Sequence, residues 1–205
     1  MKRKKGHNMK KTLIILAVVV ALGAWFVIST LNGLIPMDET CKANWSQVLN
    51  QYQRRSDLIP NLVATVKGYA SHEQDTLTQV IEARAKATQP KVSPDMITDE
   101  KAMATFMQNQ GALSSALSRL MVIVEKYPEL KANENFMALQ SQLEGTENRI
   151  AVARKDYIDS VRVFNTRIRT IPTKWVVAIF SDMEKKATFD IEESKKEVPV
   201  VDFSK

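Results

Sequence analysis

Arg54–Val63 reads RRSDLIPNLV, and the way this stretch is resolved decides the fold. It sits inside a segment whose apolar positions recur at spacings of three and four, as along one face of a helix. Two adjacent arginines, an aspartate and a proline break that regularity here. Local conflict of this kind marks a structural joint or a working site. Three resolutions stay open. Asp57 can cap a new helix with Pro60 in its first turn, where the missing N–H has no bond to lose. Gly68 can instead end one helix, with Ser71-His72-Glu73-Gln74 as the capping box of the next. If neither happens, Pro60 deprives the Ser56 carbonyl of its partner and kinks a continuous helix. The stripe runs through both points, which favours a kink, whereas closing a bundle favours a break.

Working outward, that first stripe starts at Cys41 and passes Trp45, Val48, Tyr52, Arg55 and Ile59 on its way to Ala87. A second runs through Met103, Phe106, Gln110, Leu113 and Leu120 to Tyr127. A third runs through Phe136, Leu143, Thr146, Ile150 and Tyr157 to Ile171. No segment alternates with period two. The spacing therefore predicts an all-α chain, an antiparallel up-and-down bundle of long helices. Residues 89–99, with Pro90 and Pro94, read as a loop, and Thr98 or Asp99 caps the helix that follows. Tyr127-Pro128 ends that helix, Asn133 caps the third and Pro172 stops it. If the chain stays helical to Thr88, equal rises bring Tyr127 level with Asn61. Arg54, Arg55 and Asp57 would then pair with Glu125, Glu129 or Glu134.

Upstream, residues 12–35 carry no charge, and Leu13 to Ile28 is apolar throughout. About 20 apolar residues cross a bilayer core, so the segment is long enough for a transmembrane anchor. A cleavable signal peptide, with Ala21 and Gly23 as a weak processing site, is the competing reading. The apolar run exceeds the usual core of such a peptide, about 7–15 residues, which favours an uncleaved anchor. Met9 is an alternative start to Met1. The expected organisation is a basic arm at 1–11, the anchor at 12–35, a helical bundle at 37–180 and a loosely docked or disordered tail at 181–205.

The formal charge of +6 comes from 29 Lys and Arg against 23 Asp and Glu. Six of those cations precede the anchor (Lys2, Arg3, Lys4, Lys5, Lys10 and Lys11), leaving 23 against 23 beyond it. A nucleic-acid surface needs its excess on the folded domain, so that partner class is excluded. The positive-inside rule places the arm in the cytoplasm and the bundle on the outer side of the bacterial inner membrane.

Chemistry-bearing residues are sparse. The single cysteine, Cys41, rules out an internal disulfide; packing is its ordinary role, with a disulfide between two chains as the alternative. His72-Glu73 begins like a zinc-protease helix, but the next ligand position is Thr76. Position 69 is Tyr where a di-iron Glu-x-x-His element needs Glu. The six glycines form no phosphate loop. No catalytic residue, metal site or cofactor is expected. What remains is a candidate polar cluster of Arg54, Arg55, Asp57, Asn61, Glu125, Glu147 and Arg154. It is read as ion pairs fixing helix register, or else as an interhelical ligand pocket.

RRSDLIPNLVATVKGYA and VEKYPELKANENFMALQSQLEGTENRIAVARKDY resemble the bacterial LemA family. The likeness runs from the anchor to about Pro172. It implies a single-pass membrane protein with an up-and-down four-helix bundle, and supplies no enzymatic activity, cofactor or catalytic residue. Some relatives are associated with membrane remodelling around magnetosomes, a hint towards organising membranes. Ile158 stands where relatives commonly have Asn, and 175–182 matches poorly. The expected function is a non-enzymatic envelope scaffold with a protein partner or a homo-oligomeric state, the alternative being a ligand-binding or sensory module.

Overall fold

The computed structural model describes residues 3–89 and 94–189. Helix α1 spans Arg3–Tyr69 without interruption, through both Pro36 and Pro60. The chain then turns at residues 70–73 and folds back as α2, Gln74–Thr88. A 3-10 turn at Pro94–Thr98 leads into α3, Glu100–Val124. The short α4, Pro128–Lys131, rounds the far corner, and α5, Glu134–Arg169, returns along the length of the bundle. Helix α6, Thr173–Phe180, closes the membrane-proximal end. Among the described residues there is no strand.

The open question at RRSDLIPNLV thus closes on the Gly68 side. Asp57 caps nothing; it lies mid-helix and accepts from Gln53 Nε2 at 2.8 Å. The Ser71 capping box does not form either. Glu73 occupies the N-cap position without a side-chain cap bond, and its carboxylate accepts instead from the Tyr127 hydroxyl at 3.1 Å. Other punctuation falls where the sequence puts it. The Asp99 carboxylate accepts from the Lys101 and Ala102 amides, and Asn133 Oδ1 from Phe136.

Contacts between helices fix the topology. Arg84 of α2 reaches back to Ser56 of α1, so these two form a hairpin about Ala70. Gln110 of α3 meets Ala87 of α2, again antiparallel. Along α5, Asn133 meets Tyr69, Glu147 meets Arg55 and Asn44 meets the Asp156 carbonyl. The result is an up-down-up-down bundle of α1, α2, α3 and α5, each sealing its apolar stripe against the others. Because α1 turns back at Ala70, Tyr127 comes level with Glu73 and not with Asn61.

The core has two parts. Far from the anchor, Ile59, Leu62 and Val66 of α1 pack with Val80, Leu113, Leu120 and Phe136. Near it, Cys41, Trp45 and Val48 pack with Phe106, Tyr157 and Phe164. α2 is too short to reach this lower half, and residues 183–189 help to cover it. Ala187 N–H donates to the Ile97 carbonyl at 2.6 Å, and the Tyr157 hydroxyl donates to the Ala187 carbonyl at 2.8 Å. Phe189 packs at a tilt against Trp45 and edge-to-face against Tyr157. The expectation of a loosely docked tail from 181 therefore does not hold for residues 183–189, because their backbone and aromatic groups complete a core; 190–205 lie outside the described residues.

Between residues 12 and 29 the side chains of α1 are almost all exposed, Leu13, Val19 and Trp25 among them. That helix is long and apolar enough to cross a membrane. No loop separates it from the bundle, and burial along α1 begins at Thr30 and Leu34, ahead of the boundary expected at 35–37.

Candidate functional site

Arg55 is 1% exposed, a charge almost wholly removed from water. Such a group must find partners or it costs several kcal/mol. One Nη donates to Glu147 Oε1 at 2.7 Å and to Ser114 Oγ at 2.9 Å. The other donates to Gln110 Oε1 at 2.6 Å and to the Gln110 carbonyl at 3.3 Å. The guanidinium also lies 5.1 Å from the centroid of the Tyr52 ring. Gln110, itself buried, passes the chain on, its Nε2 donating to the Ala87 carbonyl in the last turn of α2. One line of hydrogen bonds thus joins α5, α1, α3 and α2 at a single level, between the two apolar clusters.

A second tie originates in the same stretch. Pro60 has no N–H, so the Ser56 carbonyl one turn earlier loses its helical donor. Arg84 Nε of α2 supplies the bond instead, at 2.8 Å. The proline is tolerated within the helix, and the carbonyl it frees serves as the docking point for α2.

The predicted cluster divides under this geometry. Arg55 and Glu147 come together. Arg54, Asp57 and Asn61 are on the exposed side of α1. Glu125 pairs with Lys131 at 2.6 Å across the α3–α4 corner, far from Arg55. Arg154 lies 4.6 Å from the centroid of Phe189 in the lower half. The pairing of Arg54, Arg55 and Asp57 with Glu125, Glu129 or Glu134 is replaced, because the turn at Ala70 shifts the register so that Glu147 meets Arg55. Gln110 and Ser114 are partners that the sequence reading misses, although a signal is present. Gln110 interrupts the second apolar stripe as Arg55 interrupts the first, and the fold brings both interruptions to one layer.

Electrostatics agree with a structural set. Burial raises the Tyr52 phenol above its ordinary value, against the pull of Arg154 and Arg55. Burial also raises the Cys41 thiol. Cys41 is fully buried in its own core, which agrees with the packed thiol and puts its sulfur out of reach of another chain, against the alternative of an interchain disulfide. Among the described residues, no three of His, Cys, Asp and Glu converge as metal ligands would. Beside the layer, a cleft of about 350 Å³ opens among α1, α2 and α3, lined in part by Tyr52, Ser56 and Gln110.

Fold and site together define a membrane-associated helical-bundle protein whose long first helix serves as both anchor and bundle member. The LemA family model matches residues 44–203, and the chain belongs to the LemA family. The match includes 175–182, where the resemblance by motif is poor. The chain is 26% identical to magnetosome protein MamQ 2 of Paramagnetospirillum magneticum, over 97% of this chain and 79% of that protein. It is 26% identical to magnetosome protein MamQ of Magnetospirillum gryphiswaldense, over 70% and 57% respectively. Protein LemA of Metamycoplasma hominis is 23% identical over 86% of this chain and 81% of its own length. None of these names describes an enzymatic activity.

Proposed function

We propose that this protein is an envelope scaffold that holds a helical face at a fixed height above the inner membrane and acts without catalysis. The observation that carries this reading is how the Arg55 layer is used. Both Nη groups are engaged by Glu147, Ser114 and Gln110, with only the buried Nε unpartnered, and bonds of this kind between helices support a role in locking register. By the positive-inside rule, the cations before the anchor support an N-terminal arm in the cytoplasm and a bundle outside. The test combines topology with partner capture in intact cells. A membrane-impermeant maleimide should label Ile81→Cys, an exposed position on α2, and in-membrane cross-linking should trap a reproducible partner or a homo-oligomer. Labelling only in inverted vesicles overturns the orientation. A chain that cross-links to nothing overturns the scaffold.

A ligand-binding role is the second reading, and the cleft lined by Tyr52, Ser56 and Gln110 favours it. The buried Ser56 Oγ has no hydrogen-bond partner there. Anionic envelope metabolites should then raise the melting temperature, and Ser56→Ala should remove the rise while leaving the unliganded protein unchanged. A screen without any shift would falsify this role.

A further inference from the structure

On the outer side of α1 and α5, two adjoining depressions of about 380 and 490 Å³ share Asn44 and Asp156. Together they form a groove from Met37 and Val163 near the anchor to Gln51 and Arg149 higher up the bundle. Its length along the helices is roughly 21 Å at 1.5 Å per residue. The two walls differ in chemistry. That of α1 is neutral, with Thr40, Asn44 and Gln47, while that of α5 carries Arg149, Asp156 and Asp159. Asp159 pairs with Lys155 and Arg162 of its own helix, whereas neither Arg149 nor Asp156 belongs to an ion pair among the described residues. Val152 and Val163, 59% and 51% exposed, add apolar surface to the charged wall, and Gln51 Oε1 lies buried without a donor.

We propose that this groove receives a second copy of the chain, related by a two-fold axis along the membrane normal. The inference rests on the scaffold reading and names its partner. An axis of that direction keeps every residue at its own height. The antiparallel register puts Asn44 level with Asp156, so Gln51 is level with Arg149 and Met37 with Val163. The neutral wall of each copy then meets the charged wall of the other. Amides face Arg149 and Asp156, the Met37 thioether faces Val163, and no like charges are opposed. A change of rotamer at Gln51 offers its unpartnered oxygen to the guanidinium of the second copy.

The other symmetric arrangement, α5 against α5 about a perpendicular axis, would pair Arg149 with Asp156 reciprocally. Heights exclude it. Val152 is level with about residue 48, roughly 20 Å above the anchor, whereas the bundle extends roughly 32 Å beyond that level. Each bundle would enter the membrane of its partner.

The experiment uses the full-length chain in membranes, with Cys41→Ala and two differently tagged copies. One carries Gln47→Cys and the other Val152→Cys, so that a short bifunctional maleimide reports only contacts between chains. A band containing both tags is expected, and none from the control pair Ile81→Cys and Val122→Cys on α2 and α3. Val163→Glu should lower the yield roughly tenfold, equivalent to about 1.4 kcal/mol, while Val163→Ile preserves it. Absence of the two-tag band overturns the proposal, as does a yield indifferent to Val163→Glu. If the groove cysteines capture only another polypeptide, self-association fails and the scaffold stands. If they capture no protein at all, both fall.

Discussion

Arg54 and Arg55 are separated by about 100° around the helix axis, enough to put one guanidinium in water and the other in the core. Removing Arg55 forfeits charge-assisted bonds and leaves the Gln110 oxygen without its donor. Terms of this kind cost about 1.5–3 and 1–3 kcal/mol respectively. Arg55→Ala should therefore destabilise the bundle by about 2.5–6 kcal/mol, whereas Arg54→Ala should stay within about 0.5 kcal/mol. Glu147→Gln should cost about 1 kcal/mol or less, because its side chain is 48% exposed and an amide still accepts the bond. Denaturant unfolding of the three variants in one detergent checks the order. Equal losses at positions 54 and 55 would remove the layer from the account of stability.

At the scale of elements, Pro60 and Arg84 should behave as a pair. With Pro60 present, Arg84→Ala strands the Ser56 carbonyl and should cost about 1.5–3 kcal/mol. With Pro60→Ala, the helix supplies its own N–H to that carbonyl, and Arg84→Ala should cost about 1 kcal/mol less. A double-mutant cycle measures the difference, and additive effects would show that the proline has no part in docking α2. The elements themselves are legible in the sequence. Stripes at spacings of three and four mark the buried faces, and Asp99, Asn133 and Pro172 mark their ends. The turn at Ala70 is not legible, because a continuous stripe suits both an unbroken helix and a hairpin; only packing against α3 and α5 chooses between them. Register is lost with it, and Arg55 is matched to the wrong carboxylates. Half of the site is visible as an arginine in the buried phase of a stripe. Of its partners, Glu147 is among the candidates but Gln110 and Ser114 are not, since pairing of polar residues 55 to 92 positions apart depends on where the chain turns.

For the whole molecule, the docked segment 183–189 ties the residues that follow α6 to the start of the bundle. Lys186, buried, pairs with Asp38 at 2.6 Å, and its backbone exchanges bonds with the Asn165 side chain. Burial pushes the Asp38 carboxyl upward, but Lys186 and Lys42 outweigh it and hold the group below its ordinary value of 3.8. A carboxylate depressed on folding stabilises fully above its unfolded pKa and loses that contribution as pH falls through the folded one. Acid below about pH 4 should thus loosen this segment. A spin label at Thr188→Cys, an exposed position, should gain mobility in that range, and Lys186→Ala should free it already at neutral pH. Mobility independent of both would show that Ala187 and Phe189 hold the segment alone.

The uninterrupted α1 has a mechanical consequence. With no loop between membrane and bundle, the helix is a lever whose outer arm measures about 50 Å from residue 36 to Tyr69. Inclining the anchor by about 10°, a change within reach of altered bilayer thickness, would sweep the far end sideways by roughly 9 Å. Bilayer thickness would then be converted into lateral spacing between bundles. Distances between labels at Val122→Cys in thin and thick bilayers measure the sweep, and unchanged distances would mean that the rod bends at one of its prolines.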